Sequence, residues 1–281
     1  MIPASFEYDR ATSIDDALAK VAAGGKILAG GHSLLPLLKL RVASVDTLID
    51  IAGLDELRGT TYLPDGSVEM GPLTTYAEII ESTQLDWARE AMQQIGDVQV
   101  RNRGTVGGSI SHADPASDVP AIAIALGYSA VLRSSRGERT VSLDEFFKGP
   151  FETAMEGDEL LVNLKRGPLP AGVGGAYAKL AQPASGYAIV GVAAVVGRGG
   201  GSISHIRVGV TGLHEHAFRA DTVESALLGS DGSASAIAAA AAHVNDDVEA
   251  LSDIHADAAY RAAMAVVYTR RAIETALSRA S

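Results

Sequence analysis

The chain has 281 residues, 47% of them apolar and only 5% aromatic, with 30 glycines and no cysteine. That length accommodates two or three compact units, and the apolar fraction supplies their cores, so a disordered chain is excluded. A net charge of −11, from 23 basic and 34 acidic residues, repels nucleic acid and anionic lipid, and without cysteine there are no disulfides, no thiolate-held zinc and no thiolates for an iron–sulfur cluster.

The first ten residues lack a basic stretch followed by an apolar one, so no signal peptide is expected. The longest apolar runs, 121–126 and 188–196, fall short of a bilayer's thickness. A soluble, cytoplasmic protein is expected.

In chain order, Ser13-Ile-Asp-Asp16 reads as a capping box opening a helix through about residue 23. Residues 26–29 read as a short strand running into Gly30-Gly31-His32-Ser33. Leu34-Leu-Pro-Leu-Leu38 then starts a helix, with Pro36 in its tolerant first turn. A strand follows at 47–51, and Asp65-Gly66 marks a hairpin ahead of a strand at 67–70. Thr75-Tyr-Ala-Glu78 is a second capping box, for a helix through about 82, and another helix is expected over 86–95. After the segment 101–109 come a helix at 120–126 and a strand at 129–134, which turns at Arg136-Gly137 into a partner near 140. The Pro/Gly-rich residues 167–175 form the linker, and the domain boundary is placed near 172. Beyond it, strands are expected at 176–180, 188–196 and 205–212, and helices at 222–228, 235–245 and 257–276.

Two diglycine segments precede that boundary: Ala29-Gly-Gly-His-Ser33 and Thr105-Val-Gly-Gly-Ser109. Residues without Cβ let main-chain amides close on phosphate oxygens, and the hydroxyls of Ser33, Thr105 and Ser109 add donors. A following helix N-terminus supplies partial positive charge, so no lysine is required. Ordinary tight turns account for the same glycines. No G-x-x-x-x-G-K-[ST], no strand-following G-x-G-x-x-G and no G-x-S-x-G occurs, which removes a P-loop nucleotidase, a Rossmann dinucleotide site and a nucleophile elbow.

Single polar residues have plain readings. His32 shapes its turn rather than acting as a base. His214 and His216 alternate around Glu215 without a third ligand, so no metal is expected. Asp114 and Asp118 flank a Pro115 loop in which Asp makes turn hydrogen bonds. Lys179 reads as a surface strand residue, and Tyr187, beside Gly186, fits a core equally well. No catalytic side chain is assigned.

Ala29-Gly-Gly-His-Ser-Leu-Leu-Pro36 and Val100-Arg-Asn-Arg-Gly-Thr-Val-Gly-Gly-Ser109 resemble the two signature segments of the FAD-binding medium subunits of the carbon monoxide dehydrogenase and xanthine dehydrogenase (molybdenum hydroxylase) family. His112-Ala-Asp-Pro-Ala-Ser-Asp118, the opening Ile2-Pro-Ala-Ser-Phe-Glu-Tyr8, Ala178-Lys-Leu and Gly186-Tyr-Ala-Ile-Val190 extend the resemblance, in the same order, over essentially the whole chain. It implies an α+β protein with the p-cresol-methylhydroxylase-type FAD-binding fold. Two α+β subdomains, about 1–56 and 57–172, are followed by a smaller C-terminal α+β domain over 173–281. Position by position, Ala29, Gly30, Gly31, His32 and Ser33, with Thr105, Val106, Gly107, Gly108 and Ser109, would cradle the FAD pyrophosphate. Asp118 would accept hydrogen bonds from polar FAD groups, Lys179 would sit by the flavin and Tyr187 would lie against the isoalloxazine. Thr74 and Thr75 are weaker contacts. Ser109 stands where the family often has Asn, and residues 212–219 are less typical of it.

In that family a molybdenum-cofactor large subunit oxidises the substrate, and an iron–sulfur small subunit relays the electrons to FAD. A cysteine-free chain thus resembles the medium subunit, within an expected dimer of heterotrimers. A free-standing flavin oxidoreductase and a flavin-less assembly scaffold are the competing readings.

Overall fold

The computed structural model describes residues 1–281, and the chain is α+β throughout. A first unit holds β1 (Glu7–Arg10), α1 (Ile14–Ala22), β2 (Lys26–Leu28), α2 (Leu34–Leu40) and β3 (Thr47–Asp50), with the parallel sheet in the order β1-β3-β2. Helix α1 starts where the Ser13 hydroxyl accepts from the Asp16 amide at 3.1 Å. The Asp16 carboxylate, however, accepts from the Thr12 amide at 2.8 Å instead of closing back on Ser13, so the expected capping box is only half made. Strand β1 was not foreseen, because all four of its residues are exposed and no alternation marks it.

The second unit runs through β4 (Thr60–Tyr62), β5 (Val68–Met70), α3 (Tyr76–Ser82), α4 (Asp86–Gln93), α5 (Val98–Arg101), α6 (Val106–His112) and α7 (Asp118–Ala125). It continues with β6 (Ser129–Ser134), β7 (Gly137–Ser142), α8 (Leu143–Phe146), β8 (Phe147–Gly149), β9 (Glu152–Thr153) and β10 (Leu160–Arg166). Its main sheet has the order β4-β5-β10-β6-β7. The Thr75–Glu78 box is complete, with Glu78 accepting from the Thr75 amide at 2.6 Å and Thr75 accepting from the Glu78 amide at 3.2 Å. Strand β10, central to the sheet, escapes a period-two reading because its register shifts between Leu161 and Asn163.

The third unit comprises β11 (Gly174–Ala181), β12 (Ala188–Gly199), β13 (Ser202–Thr211), β14 (Phe218–Arg219), α9 (Asp221–Leu227), α10 (Ala234–Ala241) and α11 (Ala258–Ser278). Its antiparallel sheet runs β11-β12-β13-β14. The helix expected over 235–245 ends at Ala241 and tightens into a 3₁₀ turn, Ala242–Asn245.

The long apolar run of β12 follows from its position between two cores. Val190, Val192, Ala194 and Val196 face the third unit's helices, while Ala193 and Val195 join the core of the second unit. Helix α7 lies on that second face and is buried all round. Gly209 permits the approach, since a Cβ there would stand 2.1 Å from the Ala121 carbonyl oxygen. No helix is long and apolar enough to cross a membrane.

Burial pushes the hydroxyls of Tyr76 and Tyr128 in this core up to about 12. The unfolded chain ionises them near their ordinary value of about 10, so between those values the folded state holds the extra protons. Their contribution is therefore intact below about pH 10 and is lost as pH rises towards 12, on the order of 2–3 kcal/mol per tyrosine. Denaturant titrations across that window are expected to show a stability loss that Tyr128→Phe flattens. An unchanged slope in the variant would contradict the assignment.

Candidate cofactor site

Strand β2 delivers the chain into the first diglycine turn. Gly31 adopts φ +79°, a left-handed conformation that disfavours other residues. Gly30 is packed so closely that a Cβ would stand 2.1 Å from the Arg103 carbonyl oxygen and 3.2 Å from the Gly104 Cα. The two segments singled out in the sequence are therefore adjacent in space, main chain against main chain. The Gly31 carbonyl accepts from the Leu35 amide at 3.0 Å as α2 begins. The amides of Ala29, Gly30, Gly31, His32, Ser33 and Leu34 donate to no oxygen of the chain, and Ser33 makes no capping bond. Consecutive free N–H groups at a turn entering a helix form an anion-binding concavity. His32 is exposed, with Nε2 3.3 Å from the Gln99 carbonyl oxygen.

The second diglycine is not a loop but the first turn of α6, a correction to the sequence reading. Thr105 caps it, accepting from the Gly108 amide at 3.1 Å. Both helix-disfavouring glycines leave no room for a side chain: a Cβ on Gly107 would meet Pro72 Cβ at 2.3 Å, and one on Gly108 would meet the capping Thr105 Oγ1 at 2.7 Å. The Val106 amide donates to the Thr74 carbonyl at 3.0 Å, Gly107 to Pro72 at 2.9 Å and Ser109 to Thr105 at 3.0 Å. Unlike those of the first turn, the amides from Val106 to Ser109 are already engaged. What this segment presents is side chains, among them the Ser109 hydroxyl, 2.6 Å from that of Ser117. Thr74 is only 1% exposed and donates to the Gly59 carbonyl at 3.1 Å, which makes it a strut beneath Val106; Thr75 is spent on its capping box.

Tyr76, missed in the sequence, links this region to the next. A Cβ on Gly104 would touch its ring at 2.7 Å, and its raised hydroxyl pKa, due first to burial, also reflects nearby Tyr187 and Asp118. Asp118 opens α7 rather than lying in a loop, and it is 5% exposed. Lys179 is not a surface residue, its side chain being 3% exposed. The Lys179 ammonium lies 3.1 Å from Asp118 Oδ1 and 3.2 Å from Oδ2, while the Tyr177 hydroxyl donates to Oδ1. Tyr177 carried a readable signal: two positions before Lys179 on a strand, it shares the same face. Burial pushes the Asp118 carboxyl above its ordinary value, opposed by Lys179 and the Tyr177 hydroxyl. Tyr187 stays 44% exposed; partial burial and the charges of Asp114 and Asp118 raise its hydroxyl pKa.

His214 and His216 stack edge to face at 4.9 Å, with their Nδ1 atoms 2.9 Å from the Glu249 and Ala217 carbonyl oxygens respectively.

Residues 4–165 match the family model described as the FAD binding domain in molybdopterin dehydrogenase, and residues 175–276 that of the CO dehydrogenase flavoprotein C-terminal domain. The chain is 39% identical to the carbon monoxide dehydrogenase medium chain of Hydrogenophaga pseudoflava, covering 99% of each. It is 36% identical to the glyceraldehyde dehydrogenase medium chain of Sulfolobus acidocaldarius, covering 98% of this chain and 99% of that one. A solved structure of carbon monoxide dehydrogenase from Hydrogenophaga pseudoflava, lacking the molybdenum–pyranopterin moiety, matches with a TM-score of 0.96 and 40% identity over all of both chains.

Helix propensity alone predicts that Gly107→Ala gains about 1 kcal/mol. The contact with Pro72 reverses the sign, and overpacking is expected to cost about 1–3 kcal/mol. Chemical denaturation of the variant decides between the two; a stabilised Gly107→Ala would show that the helix can shift away from Pro72.

Proposed function

The chain belongs to the family of FAD-binding medium subunits of molybdenum-containing dehydrogenases, with FAD as its cofactor, and from that premise we propose that it relays electrons from the iron–sulfur clusters of a small subunit to an external acceptor. A molybdenum-cofactor large subunit would oxidise the substrate, in a dimer of heterotrimers residing in the cytoplasm. FAD, when bound, supplies both one- and two-electron chemistry, which lets such donors and acceptors be joined.

The observation that carries this reading is the run of unaccepted amides from Ala29 to Leu34, walled by the main chain of Arg103 and Gly104. A diphosphate needs several donors, and a chain of net charge −11 supplies them from its backbone. In this assignment Ala29, Gly30, Gly31, His32 and Ser33 hold the phosphates through N–H groups, with the Ser33 hydroxyl adding a donor. Thr105, Val106, Gly107, Gly108 and Ser109 form the opposite wall, and Ser109 turns its hydroxyl to the cofactor. Tyr187 covers the isoalloxazine and limits water there. The two medium chains compared above come from complexes named for carbon monoxide and for glyceraldehyde. Likeness over the full chain despite different substrates supports placing substrate choice in another subunit.

The assembled complex, purified and examined by absorption spectroscopy, is expected to carry flavin and iron–sulfur bands that bleach together on reduction. Gly30→Val, which drives its side chain into the Arg103 carbonyl, should weaken FAD binding at least about tenfold while the iron–sulfur bands persist. The reading fails if the wild-type chain retains no flavin at saturating FAD. It fails equally if the isolated, FAD-loaded chain oxidises a small alcohol unaided.

A further inference from the structure

The Lys179 ammonium carries three protons, and the chain supplies acceptors for all of them. Besides Asp118 it donates to the Gln94 carbonyl at 3.0 Å and the Gly186 carbonyl at 3.0 Å. No donor is left over for a ligand. The three acceptors lie on different elements: the end of α4, the first turn of α7, and the turn between β11 and β12.

Residues 182–187 of that turn are otherwise held by one another, and the amide that follows them, that of Ala188, donates to the Ala116 carbonyl at 3.2 Å. Gln182 Oε1 accepts from the Ala184 amide at 2.7 Å and the Ser185 amide at 2.6 Å. The Gly186 amide donates to the Gln182 carbonyl at 2.8 Å, and the Gln182 amide to the Tyr187 carbonyl at 2.8 Å. Of the hydrogen bonds made by residues 182–187, the one leading to the second unit runs from the Gly186 carbonyl through Lys179 to Asp118 and Gln94. Gly186 sits at φ +75°, and rotation of its peptide plane swings the next residue, Tyr187. Opposite Lys179 in the β11–β12 ladder stands Gly191, where a Cβ would lie 2.3 Å from the Tyr177 hydroxyl. That missing side chain lets Tyr177 reach Asp118 and orient it.

We infer that Lys179, oriented by Asp118 and Tyr177, is a positioning residue that clamps the Gly186 carbonyl and so sets how the Tyr187 ring stands over the flavin. The inference rests on the reading that FAD occupies this site. A charge-assisted hydrogen bond shielded from water is stronger than the neutral bonds within the turn, so its loss frees the turn first.

The test uses the full-length chain, with and without FAD, as wild type and as Lys179→Met, Gly186→Ala and Tyr187→Ala. In Lys179→Met, amide exchange of residues 184–187 is expected to rise at least about tenfold, with the Ala188 amide and the β12–β13 ladder unchanged. FAD affinity should stay within about threefold, because the diglycine turn is untouched. An aromatic ring stacked on a flavin quenches its fluorescence, so bound-flavin fluorescence should rise to the level of Tyr187→Ala, and the double variant should rise no further. Gly186→Ala keeps the ion pair and has room for its methyl, but strains φ; it should give the same fluorescence rise, which keeps the test decisive if Lys179→Met folds poorly. Wild-type exchange and fluorescence in both Lys179→Met and Gly186→Ala would overturn the inference. So would additive effects of Lys179→Met and Tyr187→Ala, or a loss of FAD affinity in Lys179→Met with fluorescence unchanged, which would mark a direct cofactor contact. A wild-type chain that takes up no FAD defeats the functional reading and this inference together, whereas failure of the clamp alone leaves the wild type loaded.

Discussion

The first and second units meet where the Gly30 backbone lies against the carbonyl of Arg103, with no room for a side chain between them. This main-chain contact sets the position of the free amides that follow. Phosphate recognition by backbone donors is set by the path of the chain rather than by long flexible side chains, so little ordering entropy is lost on binding. It also suits an acidic protein, in which a lysine cluster would draw in unrelated anions. The same device recurs at Gly107 against Pro72 and at Gly209 against Ala121. Part of the chain's glycine content thus reflects places where elements approach to backbone contact.

Helix α7 is the second organising element. Asp118 lies in its first turn, and Arg207 donates to the Ile124 carbonyl near its other end at 2.8 Å. Negative charge at the N-terminus and positive charge at the C-terminus both complement the helix dipole. Arg207 also reaches Asp144 at 2.6 Å, which in turn bonds Arg219. Both ends of the helix are therefore tied to the third unit, the first by the Asp118–Lys179 ion pair and the other by the hydrogen bond from Arg207 to a backbone carbonyl. A buried pair such as Asp118–Lys179 contributes little net stability when intact, but breaking it costs about 3–5 kcal/mol, so it acts chiefly by excluding other arrangements.

Much of this was legible in the sequence. The Thr75–Glu78 box, the Asp65-Gly66 hairpin and the long C-terminal helix are local signals, and each forms as expected. The two glycine segments were found from composition and spacing, and the motifs they resemble belong to the family whose models match. Other features depended on partners distant in the chain. Strand β1 is placed by pairing with β3 and by bonds from Tyr8 to Asp50 and from Lys20 to Asp9, all to partners outside the strand, and β10 is masked by its own bulge. Gly107 and Gly108 read as a turn because what demands glycine at 107 is the close approach of Pro72, 35 positions earlier, which the local sequence does not announce. Lys179 looked like a surface cation because nothing near it in sequence announces Asp118, Gln94 or the carbonyl across the turn.

Strand β12 contributes alternate residues to two separate cores. One consequence is for ancestry: the last hundred or so residues could not be exchanged as a cassette among otherwise unrelated proteins, since removal would leave an oily face on both halves. The two halves have to drift together, each substitution on one side answered on the other. Resemblance over the whole length, rather than a patchwork of matching pieces, is the record such shared packing would leave.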